Sequence, residues 1–211
     1  MASVRENYAR LFGRGNNTER LVFFSDAVFA IALTLLVVDL RVPEVDDGQS
    51  AWDVIQSLIP GFLAFAISFT VIAINWFSHF RKFRVIKEFD GRLMAINFVL
   101  LFLVAFTPFP TSLIAEYPSE VASVVLYASV VTLLNLTQLW LWSYAYRHTM
   151  MDPGVDLALY RFVRRNILVL PIVFGSSILV AIFWDPTIAM YSWFLLYPAT
   201  LAMRVISRNR G

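Results

Sequence analysis

Long apolar stretches alternate with short polar segments along this chain, a pattern typical of membrane-spanning helices. Each stretch has about the 17–25 residues needed to cross a hydrocarbon core about 30 Å thick. Backbone polar groups at that depth must bond within their own segment, so each stretch is predicted to be a helix. We therefore expect an all-α integral membrane protein of six transmembrane helices: Leu21–Leu40, Val54–Phe77, Leu93–Ile114, Val121–Tyr146, Ile167–Trp184 and Thr187–Ile206.

The basic residues lie almost entirely on one side of these predicted spans. Of the 17 Lys and Arg residues, only Arg41 falls on the other side. The rest lie in the segments 1–20, 78–92, 147–166 and 204–211. Cytoplasmic loops are enriched in Lys and Arg, so both termini are predicted to be cytoplasmic. No motif repeats between the two halves, and we expect one multi-pass domain over residues 1–211.

Composition narrows the function classes. Hydrophobic residues make up 59% of the chain and charged residues 15%, whereas a soluble domain is about half apolar and a quarter charged. The net charge is only +2, and the basic residues are spread over several loops instead of forming one patch. This distribution argues against a nucleic-acid partner. The chain has no Cys, which excludes disulfides and thiolate metal sites. The patterns H-E-x-x-H and G-x-S-x-G are missing, and we expect neither an enzyme nor a cofactor.

The first predicted helix contains an acidic residue, Asp26. It lies six residues after Arg20, which is about 9 Å along the helix. An ionisable side chain at that depth is costly and usually faces the protein interior or water. Two roles stay open from this position: a structural role in packing and assembly, and a direct role in ion binding or proton relay.

Helical periodicity divides this helix into two faces. Successive residues advance by about 100° around a helix, so Ser25 and Asp26 point away from an apolar stripe. The stripe consists of Ala27, Ile31, Thr34, Leu35 and Val38. If the stripe faces a central axis, the polar pair anchors the helix within its bundle. From spacing alone, an ordinary apolar surface that faces lipid or a core is the simpler interpretation of the stripe.

The start of this helix carries a specific motif. Arg20, Phe24, Ser25 and Asp26 form the pattern R-x-x-x-F-S-D, followed by Ala27-Val-Phe-Ala-Ile-Ala-Leu-Thr-Leu-Leu. This segment resembles the first helix of the transmembrane protein 175 family of potassium channels. A six-helix chain with one copy of the motif is similar to the single-repeat prokaryotic members. The resemblance implies a location in a prokaryotic plasma membrane.

The resemblance also implies an assembly and a site. Four chains would form a homotetramer around a potassium pore lined by the first helix, residues 20–40. Ile31 would form the narrowest ring, and Thr34 a hydroxyl ring near which the permeant potassium ion passes. Leu35 and Val38 would continue the apolar lining. Potassium ions and the lipid bilayer are then the expected partners, with no cofactor beyond the permeant ion.

Residues outside the first helix extend this prediction. In the family resembled, a Trp and a His at the end of the second helix pack against the motif. We therefore expect Asn75, Trp76 and His79 to contact Ser25 and Asp26. Within the other spans, three amides are expected to form hydrogen bonds between helices. They are Asn97, Asn135 and Gln138.

Arg20 falls near the stripe, where four unpaired guanidinium groups would repel a permeant cation. We expect an acidic partner for it, and Glu19 and Asp90 are the candidates.

A different class of function, a cation- or proton-coupled secondary transporter, would use Asp26 as its coupling carboxylate. Transporters of that kind have broken helices, for which Pro60–Gly61 and Pro171 offer limited support.

Overall fold

A computed structural model describes residues 18–38, 40 and 50–193, and most of them are helical. Five helical stretches are long and apolar enough to cross a membrane: Glu19–Val38, Ile59–Val85, Gly91–Glu116, Val121–Arg147 and Leu157–Phe183. In chain order the helices are α1 (Glu19–Val38), α2 (Ala51–Ser57), α3 (Ile59–Val85), α4 (Gly91–Phe106), α5 (Pro108–Glu116), α6 (Val121–Arg147), α7 (Leu157–Phe183) and α8 (Pro186–Ser192).

The sixth predicted span, residues 187–206, begins within α8. Its residues beyond 193 lie outside the part of the chain that the structure describes. Five spans are therefore described, and the sixth span and the side on which the termini lie remain predictions.

The second span is displaced from its predicted position, Val54–Phe77. Residues 51–57 form the separate short helix α2, whose first turn is closed by a capping box between Ser50 and Asp53. The long helix α3 begins next to Pro60, in keeping with the preference of proline for the first helical turn. It continues to Val85, so that Arg81 and Lys82, predicted to lie in a loop, belong to the helix.

Two other spans differ from their predicted bounds. The third span is divided at Thr107 into α4 and α5, and Pro108 begins the second of these helices. The fifth span, predicted to begin at Ile167, begins at Leu157 because the Asp156 side chain accepts a bond from the Leu159 N–H and caps α7 there. Hydropathy did not reveal this start, since the first turns of α7 contain three arginines.

Helix α1 packs against α3 and α4 through one apolar face. Phe29, Ala32 and Leu36 of α1 are buried in one cluster with Ile72 of α3 and Val104 of α4. One turn earlier on α3, the Ser68 hydroxyl donates to Tyr127 of α6 and accepts from Thr111 of α5, at 3.0 and 2.8 Å. Helix α3 therefore contacts α1 as well as the later helices α5 and α6.

The loops α3–α4 and α6–α7 meet at one end of the bundle. Ile86 and Met151 form an antiparallel bridge there, and the Asp152 N–H donates to the Val85 carbonyl at 2.7 Å. We call this the basic end, because it carries Arg84, Lys87, Arg92 and Arg147.

Candidate functional site on the first helix

One face of α1 is buried and the other is open. Its buried residues are Leu21, Ser25, Phe29, Ala32 and Leu36. Within the single chain, Ile31 is 58% exposed, Leu35 45% and Val38 64%, and Ala27 and Thr34 are exposed as well. The predicted stripe thus lies on the open side of a membrane-length helix, available to another copy, to lipid or to an ion pathway.

The exposed surface of α1 is wider than this stripe. Phe23 is 79% exposed, Phe24 47% and Val37 53%. The Phe24 ring lies 5.7 Å from that of Phe98 on α4, measured between ring centroids. Because only part of this surface could face a narrow axis, the remainder is left for contacts with neighbouring chains or lipid.

A hydrogen-bonded chain ties Ser25 to two neighbouring helices. Asn97 of α4 donates its amide N–H to the Ser25 Oγ at 3.0 Å, and Ser25 donates to the Leu21 carbonyl at 2.8 Å. The other end of the Asn97 amide, its oxygen, lies 2.9 Å from Nε2 of His79 on α3. An amide oxygen only accepts, so His79 carries its proton on Nε2. Ser25, His79 and Asn97 are all fully or almost fully buried.

Asp26 is bonded to α3 by a separate contact. The indole N–H of Trp76 donates to Asp26 Oδ1 at 2.8 Å. Asp26 is partly buried, and it points away from the stripe of Ile31 and Thr34 as helical periodicity predicted. The carboxylate is thereby positioned as a link between α1 and α3.

Of the three residues of α3 that were expected to contact Ser25 and Asp26, one does so directly and one through another side chain. Trp76 bonds to Asp26 directly, whereas His79 reaches Ser25 through Asn97. The expected contact of Asn75 is wrong: its amide donates to the Val71 carbonyl one turn back on its own helix, at 3.0 Å. An asparagine inside a span can satisfy its N–H in this way without reaching another helix.

The three amides predicted to link helices behave differently from one another. Asn97 links α4 with α1 and α3, and Gln138 of α6 donates to the Asn75 carbonyl at 3.2 Å. The side chain of Asn135 instead donates to the Val131 carbonyl of its own helix at 2.9 Å. The intermediary position of Asn97 was not predicted, because no motif spacing relates it to Ser25 or His79.

Asp90, one candidate partner for Arg20, accepts hydrogen bonds from other groups at the start of α4. Its two oxygens accept from the Leu93 N–H at 2.8 Å and from the Tyr144 hydroxyl at 2.7 Å. Burial raises the pKa of the Asp90 carboxyl, but hydrogen bonds from Leu93, Tyr144 and the Arg92 backbone outweigh burial and hold it below its ordinary value. Asp90 thus connects the α3–α4 loop with α6, and Glu19 lies in the first turn of α1 beside Arg20.

The described residues contain no group of three His, Asp or Glu side chains placed to hold a metal ion. On the stripe itself, the side-chain oxygen is the Thr34 hydroxyl, which donates to the Ile31 carbonyl at 2.8 Å. A hydroxyl that donates its hydrogen keeps its lone pairs for accepting. Along the stripe, one chain therefore offers a cation a single side-chain oxygen, that of Thr34.

These features define a multi-pass, all-helical membrane protein whose first helix is anchored on one side and open on the other. The family model for the endosomal/lysosomal potassium channel TMEM175 matches residues 20–108. A potassium channel from Streptomyces collinus is 36% identical over 155 residues, which are 71% of this chain and 75% of the relative. A potassium channel from Chamaesiphon minutus is 37% identical over 62% of this chain and 66% of its own length.

A solved structure indicates the same family as the sequence relatives. The crystal structure of a lysosomal potassium-selective channel TMEM175 homologue from Chamaesiphon minutus has a TM-score of 0.76 and 28% identity, covering 92% of this chain and 99% of that one. A human relative, the endosomal/lysosomal proton channel TMEM175, is 29% identical over 72% of this chain but only 31% of its own length. The chain belongs to the TMEM175 family.

Proposed function

We propose that four copies of this chain form a potassium-selective channel whose pore is lined by α1. The observation that supports this proposal most directly is that Ile31, Thr34 and Val38 are exposed on a membrane-length helix whose opposite face is buried. The relatives and solved homologue named potassium channels support the choice of ion. Since α1 occurs once in each chain, a pore built from it needs several copies around an axis.

A ring of Ile31 side chains would form the constriction. A narrow apolar neck disfavours water and ions and can gate a pore by dewetting. Next to it, Thr34 would supply a ring of hydroxyl oxygens whose lone pairs stay available, because each hydroxyl donates to the Ile31 carbonyl. Leu35 and Val38 would continue the apolar lining, with a dehydrated potassium ion passing between the isoleucine and threonine rings.

The hydrogen bond of Asp26 favours a channel over a coupled transporter. A transporter would need Asp26 free to bind and release its coupling ion, whereas Asp26 accepts the indole N–H of Trp76 at 2.8 Å. The proposed channel lies in the plasma membrane of a prokaryotic cell with both termini in the cytoplasm. That orientation would place the basic end among the headgroups of the inner leaflet.

Ile31→Asn tests this function directly. Four amides at the neck would hold water there, so single-channel conductance should rise. Potassium preference over sodium should fall, because a wetter neck no longer requires the ion to shed water. Ile31→Leu is the matched control: it keeps an apolar ring of equal size and should conserve both properties. Single-channel current and reversal potential in planar bilayers measure the two effects. Unchanged values in Ile31→Asn would show that this face does not line the pore.

A further inference from the structure

A cavity lies away from α1, between α3, α6 and α7. The cavity has a volume of about 390 Å³ and is situated towards the basic end of the bundle. Its apolar walls include Phe77 of α3 and Phe162 of α7, which are 45% and 46% exposed. Its polar lining includes Ser78, Arg81, Lys82 and Asn166. None of the described residues that line it is acidic.

Lys82 makes this cavity unusual. The side chain is only 2% exposed, and its ammonium donates to a neutral acceptor, the Gln138 Oε1. An ammonium has three N–H donors, and a buried charge is normally balanced by an opposite charge. The described lining of the cavity adds no carboxylate to balance Lys82. The site therefore has the charge complementary to an anionic group.

Arg81 adds a second cation at the same level. Its guanidinium carbon lies 4.0 Å from the centroid of the Phe77 ring, a geometry in which the ring face attracts the cation. Arg81 is exposed and Lys82 is buried, so one cation lies at the opening and the other inside. A guanidinium can contact two oxygens of a phosphate at once, whereas an ammonium acts as a point charge.

The depth of the two cations matches a lipid interface. Arg81 and Lys82 lie within about a turn and a half of Val85, the end of α3. Phe162 and Asn166 lie in the first three turns of α7. The apolar walls continue from these residues towards the membrane interior, through Ile74 and Leu170. A polar pocket at headgroup depth with an apolar wall below it fits a ligand with an anionic head and a hydrocarbon chain.

We propose that this cavity binds an anionic phospholipid, with its phosphate at Arg81 and Lys82 and an acyl chain along Phe77 and Phe162. Basic pockets between transmembrane helices on the cytoplasmic side are suited to such headgroups. The site is separate from the stripe on α1, and its occupancy can be measured without recording any current. A test of binding therefore succeeds or fails independently of the proposed channel function.

Lipid-dependent thermal stability of the purified full-length protein tests the site. Phosphatidylglycerol added to detergent-solubilised protein should raise the melting temperature more than zwitterionic phosphatidylcholine does. Arg81→Gln should weaken the phosphatidylglycerol effect about fivefold in half-saturating concentration, which is the usual contribution of one basic residue at an anionic surface. Lys82→Met should weaken it by at least as much.

Arg84→Gln is the matched control, since Arg84 is exposed in the last turn of the same helix but does not line the cavity. It should respond to phosphatidylglycerol as the wild type does. An equal response of Arg81→Gln and the wild type would overturn the proposal. Arg81 is exposed, so its variant decides the matter even if Lys82→Met fails to fold. If inorganic phosphate at millimolar concentration stabilises the wild type as much as the lipid, the ligand is a soluble anion and the lipid assignment is wrong.

Cysteine labelling gives a second, local measurement. The chain has no Cys, so a single introduced thiol reports on one position. Phosphatidylglycerol should slow modification of Asn166→Cys, which lines the cavity, by a water-soluble maleimide. It should leave Arg165→Cys unchanged, because Arg165 is exposed and does not line the cavity. Equal labelling rates at position 166 with and without the lipid would contradict occupancy of the cavity.

Discussion

At the scale of single residues, Asp26 shows how an acidic side chain is retained in an apolar helix. A carboxylate in a membrane is costly when it has no partner. Here the Trp76 indole supplies a hydrogen bond at 2.8 Å and ties α1 to α3. The same bond turns the carboxylate away from the exposed stripe that begins with Ala27 and Ile31. Asp26 is thus better placed to hold the helix than to bind an ion.

Removing this carboxylate should weaken the fold before it alters conduction. Asp26→Ala leaves the Trp76 N–H without its acceptor, at a cost of about 1–3 kcal/mol. We expect a lower melting temperature and a lower yield of the assembled protein on size-exclusion chromatography. Asp26→Asn keeps an acceptor oxygen and should lose less. If Asp26→Ala assembles normally and changes only ion selectivity, the carboxylate faces the ion pathway instead.

At the scale of elements, the buried set Ser25, Asn97 and His79 joins three helices. A single amide, Asn97, satisfies Ser25 of α1 with its N–H and His79 of α3 with its oxygen. The other ring nitrogen of His79, Nδ1, is buried without a hydrogen-bond partner among the described residues. Loss of Asn97 would therefore leave His79 with both ring nitrogens unbonded.

A double-mutant cycle tests this connection. Ser25→Ala and Asn97→Ala remove the same 3.0 Å bond from its two ends, so their effects on unfolding free energy should not add. Bonds of this kind between membrane helices are worth about 0.6 kcal/mol on average and up to about 1.7, and we expect a coupling in that range. Thr137→Ala serves as a control partner for Ser25→Ala, because the Thr137 hydroxyl donates within α6, to the Leu133 carbonyl. Additive effects for the Ser25–Asn97 pair would contradict the link.

The start of α4 offers a pH-dependent test at the same scale. The pKa of Asp90 is held below its ordinary value, so the folded state favours the ionised carboxylate. Its contribution to stability is complete above the unfolded pKa of about 3.9 and is lost as the pH falls through the lower, folded value. Asp90→Ala should cost about 1 kcal/mol at neutral pH, as for other lost helix caps.

Asp90→Asn keeps an acceptor for the Leu93 N–H and cannot titrate. Chemical unfolding between pH 3 and pH 7 should therefore bring the wild type closer to Asp90→Asn as the pH falls. A constant difference between the two proteins over that range would show that the carboxylate charge contributes nothing.

At the scale of the whole molecule, the single chain leaves an apolar, membrane-length face of α1 open. Ile31, Leu35 and Val38 are each about half exposed or more. In a tetramer this face would meet its own copies around the axis, and exposure in one chain is then the expected consequence of an incomplete assembly. Lipid alone could also cover such a face, so cross-linking is needed to separate the two.

Val38→Cys should form disulfides between copies under mild oxidation, because copies that meet on an axis bring the same residue close together. The natural chain has no Cys, which removes any background. Leu179→Cys is the matched control: Leu179 is 59% exposed on α7 and should stay monomeric on a non-reducing gel. Cross-linking of Leu179→Cys but not Val38→Cys would locate the interface elsewhere.

Several features followed from the sequence alone because they depend on local chemistry. Spans appear as apolar runs, since lipid requires a continuous apolar surface over a set length. The two faces of α1 followed from helical periodicity, which is the same in any α-helix. The motif Arg20–Asp26 was sufficient to indicate the family. Those three inferences needed no knowledge of which helices are neighbours.

Other features were decided only by the tertiary structure. The side chain of Asn97 meets Ser25 and His79 because α1, α3 and α4 pack together, and no local pattern records that packing. Lys82 was predicted to lie in a loop, yet α3 continues past it and buries it beside Gln138. A hydropathy pattern places the end of a span at the first charged residues, whether or not the helix continues past them. Only the neighbouring helices determine whether that residue is in solvent or enclosed.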